Sequence, residues 1–213
     1  MKKENVNTIS EIVVKTATSV IPIGGALISC IIDEIKSNSM QKRQDEWMSL
    51  IEERLAKIEI DLQKIGNNEM FTTAIIKATE IAVKTAEKEK REYLANAIIN
   101  SIEMSANESI LMIYMELVER YTGWHLQILE HFQCPEKGIG RGNDYMGGAD
   151  SPLFRRYSQM ADRKDLVHKI IKDLQNDGML SNGDFMNTTM SVSGIYAKRT
   201  TNLGDGFLRF ISR

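Results

Sequence analysis

The stretch Met48–Ile65, MSLIEERLAKIEIDLQKI, has the clearest periodicity in the chain and indicates the kind of fold that the sequence makes. Apolar side chains recur in it at alternating intervals of three and four residues: Met48, Ile51, Leu55, Ile58, Leu62 and Ile65. This spacing places them along one face of a helix, and most positions between them are charged or amide side chains. We predict a helix over residues 40–65 whose seam packs inside an intramolecular antiparallel bundle or, alternatively, mediates self-association.

The composition favours a helical globular protein. Of 213 residues, 42% are apolar and 26% are charged, and both values lie near the average of soluble domains. They exclude collagen-like, disulfide-scaffold and fully disordered chains. The chain has 3 Pro and 12 Met. Because proline breaks helices and methionine fills irregular helical contacts, this balance favours long helices.

Two further regions read as helices. Residues 69–104 contain no Gly or Pro, and their charged run Glu87–Glu92 is interpreted as a solvated face or as a break between two helices. Residues 107–132 repeat apolar and aromatic side chains at helical spacing, and Pro135 follows. The predicted fold class is therefore mainly α, with an N-terminal multi-helix bundle over residues 1–135.

An uncharged segment of 17 residues, Thr16–Ile32, lies near the start of the chain. A helix needs about 17 to 25 apolar residues to span a bilayer, and this segment also holds hydroxyl side chains and a Pro22–Gly25 break, so constitutive insertion is not expected. Three interpretations stay open: a buried helical hairpin, a segment stored in the fold and released into a membrane, and an oligomer interface. The residues concerned are Val20, Ile21, Pro22, Ile23, Gly24, Gly25, Leu27, Ile28, Ile31 and Ile32. The Pro-x-Gly-Gly break with apolar flanks resembles the opening of helical pore-forming domains in several bacterial toxins.

Residues 136–151, EKGIGRGNDYMGGADS, are predicted to be a flexible Gly-rich connector. The run Gly138–Gly142 follows a helix and lacks the Gly-Lys-Ser/Thr ending of a phosphate-binding loop, so nucleotide binding is not expected. Residues 152–213 then change character. We predict a short helix near 152–160, a helix over 163–176 capped by Asp162, a period-two pattern over 179–200, and a last helix near 202–211.

This order of helix, helix, hairpin and helix is that of a winged helix. The segments Asp173–Leu180 (DLQNDGML) and Arg199–Leu208 (RTTNLGDGFL), with a T-x-x-G-x-x-F-L exit from the wing, resemble the MarR-type regulators. The resemblance implies a winged-helix-like α+β module over residues 152–213. The whole chain resembles a group of small bacterial helical proteins that begin with an apolar Pro-x-Gly-Gly segment and end in such a wing, which implies an organisation and no particular activity.

The basic side chains of this module are candidate contacts for a protein partner or a nucleic acid: Arg163, Lys164, His168, Lys169, Lys172, Lys198 and Arg199. Residues 150–213 carry 10 Lys and Arg against 7 Asp and Glu, whereas residues 1–149 carry 17 against 22. DNA readers favour Arg, Asn and Gln on the recognition helix. Because this helix is Lys-rich and also carries Asp165 and Asp173, a protein partner is favoured over DNA.

No nucleophile elbow, metal-ligand cluster or phosphate loop is found in the sequence. We therefore expect no enzyme activity, no cofactor, no metal and no small-molecule substrate, and we interpret His125 as a core histidine. Cys30 and Cys134 lie far apart, which favours a reducing, cytoplasmic setting. The apolar segment adds the expectation of membrane association on activation.

The function hypothesis is a partner-recognising, oligomerising protein whose apolar segment is released to self-associate or to enter a membrane, in bacterial defence or as a toxin-like effector. The alternative is a dimeric winged-helix DNA-binding transcription regulator.

Overall fold

The computed structural model describes residues 38–57, 69–103, 108–142 and 145–212, and the chain divides into two compact units. The first unit runs to Arg120 and also takes Phe210–Arg213, and the second unit is Tyr121–Arg209. The chain is mainly helical, as predicted. The division differs from the predicted boundary at residue 135, because the helix predicted over 107–132 is interrupted at Tyr121. The uncharged segment Thr16–Ile32, for which three interpretations stay open, lies outside the described residues.

The described part of the first unit is a helical bundle, as the periodicity indicates. Helices α2 and α3 pack against each other, and both contact α1 and α4. Ala74, Ala78 and Ala82 of α2 are fully buried at intervals of four residues, so neighbouring backbones can approach this face closely. The bounds are α1 Asn38–Ala56, α2 Glu69–Lys84, α3 Lys88–Glu103 and α4 Glu108–Arg120.

Helix α1 buries a face that is offset from the predicted seam. Trp47 and Ile51 are 1% exposed and Leu55 is 6% exposed, whereas Met48 is half-buried. The Trp47 indole Nε1 donates to Thr79 Oγ1 over 3.1 Å. The sequence pattern missed Trp47 because a spacing of three and four residues fitted Met48 equally well.

The charged run Glu87–Glu92 follows a helix break and forms the first turn of α3, where four side chains are exposed and two, Lys90 and Arg91, are buried. The chain leaves α2 at Lys84 and enters α3 at Lys88. The Lys90 ammonium donates to the Glu119 carbonyl over 2.7 Å, and the Arg91 guanidinium donates to the Thr85 carbonyl over 3.2 Å and to Glu46 Oε2 over 2.9 Å. Both cations are buried, and burial lowers the pKa of Lys90. The first turn of α3 thus binds carbonyls where α2 and α4 end. The interpretation of the run as a solvated face does not account for these two buried cations.

The end of the chain is held by two asparagines of α3. Asn96 Nδ2 donates to the Ile211 carbonyl over 3.0 Å, and Asn100 Nδ2 donates to the Phe210 carbonyl over 2.9 Å. The rings of Tyr114 and Phe210 lie 5.3 Å apart. These contacts satisfy carbonyls that a helix leaves unpaired at its C-terminus.

The second unit combines helices with a small sheet. Its elements are α5 Gly123–Gln133, β1 Met146–Gly147, α6 Asp150–Arg156, a 3₁₀ helix Ser158–Arg163, α7 Lys164–Asn176, β2 Met190–Ser191, α8 Val192–Ile195 and α9 Asn202–Ile211, of which the last two residues belong to the first unit. Helices α7 and α9 follow the predicted ranges closely. Asp162 does not cap α7, because Arg163 occupies the N-cap position and makes no side-chain cap bond.

The predicted winged-helix module is not confirmed, because only the ends of the predicted hairpin over residues 179–200 pair with each other. Strand β2 pairs instead with β1 of the connector, antiparallel, with Met146 opposite Ser191 and Gly147 opposite Met190. Leu180 and Thr200 form an isolated bridge. A Cβ at Gly148 would lie 2.4 Å from the Met186 carbonyl oxygen, so glycine lets the connector lie directly on that backbone.

The T-x-x-G-x-x-F-L motif has a structural role at the start of α9. Thr201 Oγ1 accepts the Gly204 N–H over 3.1 Å and caps the helix. A Cβ at Gly204 would lie 2.3 Å from the Met179 carbonyl oxygen, a separation that side chains do not reach. Phe207 and Leu208 are buried in the core. The motif therefore fixes where α9 meets the end of α7.

The close approach at Gly204 predicts a reversal of the usual glycine-to-alanine effect in helices. Replacement of an interior helical glycine by alanine normally stabilises by about 1 kcal/mol, but Gly204→Ala must displace the Met179 backbone, and we expect a net loss of about 2 kcal/mol. Urea unfolding of Gly204→Ala and of the exposed control Asn202→Ala measures the difference. A Gly204→Ala protein as stable as wild type would show that the backbones are not in contact.

Candidate functional site

The structure places the predicted site residues in different surroundings. The whole apolar segment of residues 20–32 lies outside the described residues, as do Ile58, Leu62 and Ile65 of the seam. The other seam residues, Met48, Ile51 and Leu55, belong to the first unit, and the candidate contact residues belong to the second.

Three of the candidate basic side chains bind groups of their own unit. Lys164 Nζ lies 5.5 Å from the centre of the Phe154 ring, which is a cation–π distance. Lys169 pairs with Asp173, with Nζ 2.6 Å from Oδ2, and this hydrogen bond is the main reason why the pKa of Asp173 lies below its usual value. Lys198 pairs with Asp205.

Arg199 also faces inward rather than toward a ligand. Its Nη2 donates to the Gly194 carbonyl over 2.7 Å, and its guanidinium lies 5.0 Å from the centre of the Phe185 ring. Burial lowers the pKa of this guanidinium. This candidate contact residue is thus part of the internal packing of the second unit, while Arg163 at the N-cap of α7 and His168 and Lys172 within α7 are exposed or half-buried.

The connector presents a surface that the sequence pattern did not single out. Tyr145 is 84% exposed and Met146 is 73% exposed, and basic side chains of the connector and of the last turn of α6 in the same unit are exposed or half-buried. We name this surface the connector face; it comprises Lys137, Arg141, Tyr145, Met146, Arg155 and Arg156. The signal in the sequence was the Tyr-Met pair, which is unusual among the turn-forming residues around it.

Hydrogen bonds hold the connector along its length. The Arg156 guanidinium donates to the Lys137 carbonyl, and the Tyr196 hydroxyl donates to the Arg141 carbonyl. The Ala149 N–H donates to the Phe185 carbonyl over 3.0 Å, just after the β1–β2 pair. The expected flexible linker is therefore bonded to the second unit at both ends of the connector face.

Glycine is required at Gly142 by the backbone and by Arg155. Its φ is +58°, and a Cβ there would lie 2.3 Å from Arg155 Nη1. The Arg155 guanidinium donates in turn to the Tyr196 hydroxyl over 2.5 Å. Gly142 thus lets a guanidinium lie against the connector backbone, which brings Arg141 and Arg155 to the same surface.

His125 lies in a polar cluster that has the residue types of a hydrolytic triad. Its Nδ1 lies 2.9 Å from Thr122 Oγ1 and accepts the Thr122 N–H over 3.3 Å, and its Nε2 lies 3.6 Å from Asp173 Oδ2. The ring stacks on Tyr121, 5.1 Å away. Burial lowers the pKa of His125, against the opposing effect of Asp173.

The geometry of this cluster is that of a helix cap. Thr122 is the N-cap of α5 and His125 returns to its backbone N–H, which is a capping box. His125 Nε2 and Asp173 Oδ2 lie 3.6 Å apart, farther than the contacts of His125 with Thr122, so the helix-cap contacts are the closer ones. The cluster therefore agrees with the interpretation of His125 as a packed histidine with a hydrogen-bond partner.

His131 is a buried imidazole without a hydrogen bond at either nitrogen in the described structure. It is 0% exposed, and its ring meets Phe132 edge to face at 5.1 Å. Burial, and to a lesser degree the nearby Arg156, lowers the pKa of His131 to about 3. Since Cys134 is exposed and no group of three or more His, Cys, Asp or Glu in the described residues could hold a metal ion, His131 lies in no such site there.

None of the helices over 38–57, 69–103, 108–142 and 145–212 is long and apolar enough to cross a membrane. The sequence matches no known protein family, no curated protein and no solved structure.

The buried His131 predicts a loss of stability in mild acid. Below about pH 6.5 the unfolded imidazole takes up a proton that the folded one, with a pKa of about 3, does not accept, so stability falls as pH falls. We expect a loss of about 2 kcal/mol between pH 7 and pH 5 from this group.

Urea unfolding at both pH values compares wild type with His131→Leu and His131→Gln. Neither variant titrates, so both should lose this pH dependence. His131→Leu should also be more stable than wild type at pH 7, by about 1 kcal/mol, because two unpaired buried nitrogens are removed. An unchanged slope in both variants would place the acid sensitivity elsewhere.

Proposed function

We propose that this protein is a non-enzymatic, partner-recognising and oligomerising protein. The connector face of the second unit docks a protein partner, and the apolar segment Thr16–Ile32 is released on a trigger to self-associate or to enter a membrane. The observation that carries the proposal is the exposure of Tyr145 and Met146, at 84% and 73%, on a connector that is held by hydrogen bonds.

The chemistry of the connector face supports a protein partner. Aromatic residues, Met and Arg are enriched at protein interfaces, and Tyr and Arg are frequent hot spots. Tyr145, Met146 and Arg155 supply these side chains within the second unit. Because the connector is already ordered, docking orders few further residues, which lowers the entropic cost of binding.

The contacts of the candidate basic residues favour a protein partner over DNA. Of the seven predicted contact residues, four bind groups within the second unit: Lys164, Lys169, Lys198 and Arg199. A DNA-binding surface needs cations that are available to neutralise phosphates. Lys169 and Lys198 are each paired with a carboxylate, which partly neutralises their charge and weakens their attraction for phosphate.

Exposed apolar residues of the first unit support self-association. Ile110 and Ile113 of α4 are 41% and 51% exposed and lie three residues apart, so they share one face of the helix. A matching pair on a second copy would cover this face symmetrically.

The membrane part of the proposal is supported by the sequence of Thr16–Ile32. It has no charged residue over 17 positions, yet Pro22 and the two glycines interrupt it. A segment with these properties is apolar enough for lipid yet interrupted enough to stay soluble when it is covered.

Site-specific photocrosslinking tests the docking surface. Benzoylphenylalanine at position 145 should give a discrete adduct in cells that express the full chain, and the same group at position 166, where Leu166 is 48% exposed on α7, should not. An adduct of twice the chain mass identifies a second copy as the partner. If neither position or both positions crosslink alike, the connector face is not a docking surface.

Dye release tests the membrane segment. In expressing cells, where a partner can act as the trigger, the full chain should permeabilise the membrane to dye, and Ile28→Asp should abolish this effect, since a carboxylate near the bilayer centre costs about 3 kcal/mol. Ser49→Asp, an exposed change on α1, is the matched control and should behave as wild type. Equal leakage from Ile28→Asp and wild type would exclude the membrane role.

A further inference from the structure

The imidazole of His125 lies between two partners that favour different protonation states of the ring. Its Nδ1 accepts the Thr122 backbone N–H over 3.3 Å and lies 2.9 Å from Thr122 Oγ1, and its Nε2 lies 3.6 Å from Asp173 Oδ2. A ring nitrogen that accepts an N–H carries no proton of its own. The neutral imidazole of the cap therefore carries its proton on Nε2, on the side of Asp173.

A proton on His125 Nδ1 is incompatible with the cap. The charged imidazolium donates from both nitrogens, so Nδ1 can no longer accept the Thr122 N–H. The Thr122 hydroxyl can reverse its role and accept from Nδ1, because a hydroxyl is both donor and acceptor. The backbone N–H has no such freedom, so the capping box of α5 loses one of its two hydrogen bonds.

The surroundings of His125 supply partners for the charged ring. Its ring and that of Tyr121 are stacked, with centroids 5.1 Å apart and planes 6° apart, and a cation is attracted to the face of a tyrosine ring. The Tyr121 hydroxyl donates to Asp177 Oδ2 over 2.6 Å, which holds that ring in place. The Asp173 carboxylate lies within ion-pair distance of Nε2. Protonation therefore replaces a hydrogen bond to the helix start with an ion pair to α7.

The pKa of His125 is set by burial and by charged groups on α7, the helix that packs against α5. Burial is the largest effect and lowers the pKa below its usual value. Asp173 and Asp177, the C-cap of α7, favour the charged ring, whereas Lys169, which pairs with Asp173, opposes it. His125 is also the third residue of α5, where the helix dipole disfavours a cation. The change of state therefore falls below pH 6.5, the usual value for histidine.

We propose that His125 is a proton-sensitive switch at the start of α5, which exchanges a helix cap for an ion pair. In the neutral state His125 accepts the Thr122 N–H and α5 begins at Gly123. In the charged state the imidazolium pairs with Asp173 and the Thr122 N–H is released to water, so the first turn of α5 opens more often. The inference goes beyond the proposed function and does not depend on it.

The position of the cap gives the switch its consequence. Residues 107–132 repeat apolar and aromatic side chains at helical spacing, yet the structure interrupts the helix at Tyr121 and Thr122. The second unit begins at Tyr121, so the capped turn is the first one in that unit. The neutral histidine thus stabilises a helix start that the periodicity does not predict, and protonation weakens it.

NMR spectroscopy of the full chain tests the switch, from pH 7 down to the lowest pH at which the protein stays folded. At pH 7 the ring nitrogen shifts should show Nε2 protonated and Nδ1 unprotonated, and in acid both should be protonated. The Leu126 N–H, which bonds to the Thr122 carbonyl over 3.3 Å, reports the first turn. Protection of the Thr122 and Leu126 amides from hydrogen exchange, relative to an unfolded chain at the same pH, should fall by about fivefold or more as His125 titrates.

Matched variants assign the response to His125. Glutamine serves at this position of a capping box and does not titrate, so His125→Gln should keep both amide protections within about twofold over the same pH range. Asp173→Asn removes the partner of the charged ring and should move the His125 midpoint to lower pH. His168→Gln removes a histidine of α7 in the same unit and should leave the response as in wild type.

Four results would overturn the inference. A proton on Nδ1 at pH 7 would show that the ring does not accept the Thr122 N–H, and a ring that stays neutral wherever the protein is folded would show that it does not switch. Protonation without loss of amide protection would show that the cap survives the charge. An equal loss in His125→Gln would assign the acid response to another group, such as the buried His131. None of these results bears on the docking surface or the membrane segment, whose tests do not involve His125.

Discussion

The second unit depends on one backbone contact, between Gly204 and the carbonyl of Met179. No side chain fits there, since a Cβ would lie 2.3 Å from the carbonyl oxygen. The Thr201 hydroxyl joins the same contact, because it donates to the Gly178 carbonyl over 2.5 Å while it caps α9. The end of α7 and the start of α9 are thereby fixed together, and Phe207 is buried beneath them. A motif that resembles the exit from a wing is thus explained by helix packing without a wing.

The helices could be read from the sequence, because their periodicity and end signals are local. Helix α7 ends where Asp177-Gly178 predicts, and Gly178 takes a φ of +70°, which favours glycine. The hairpin could not be read in the same way, because strand partners are set by long-range contacts. Met190–Ser191 pairs with the connector more than forty residues earlier in the chain. Period-two patterning predicts a strand but not its partner.

For the candidate site, too, the sequence pattern did not reveal contacts between segments that lie far apart in the chain. Basic residues on α7 and after it suggested a ligand surface, yet Lys169 and Lys198 have carboxylate partners four and seven residues away, at Asp173 and Asp205. The first pair could have been foreseen, since a spacing of four residues on a helix brings side chains together. The second pair depends on the turn before α9. The cations of the connector face were overlooked because they are divided between two segments that the sequence keeps apart.

Arg199 is not part of the connector face, but it contacts the residues that bond the connector. Its guanidinium binds the Gly194 carbonyl and covers Phe185. The Phe185 carbonyl in turn accepts the Ala149 N–H, and Tyr196, two residues after Gly194, reaches Arg141. This half-buried cation therefore contacts the loop before α9 near both points at which the loop bonds the connector. Its Nη2 is used by the Gly194 carbonyl, whereas its buried Nε has no hydrogen bond in the described residues, so only part of its desolvation cost is offset. The residue that the sequence assigned to ligand contact is a packing residue of the second unit that supports the connector.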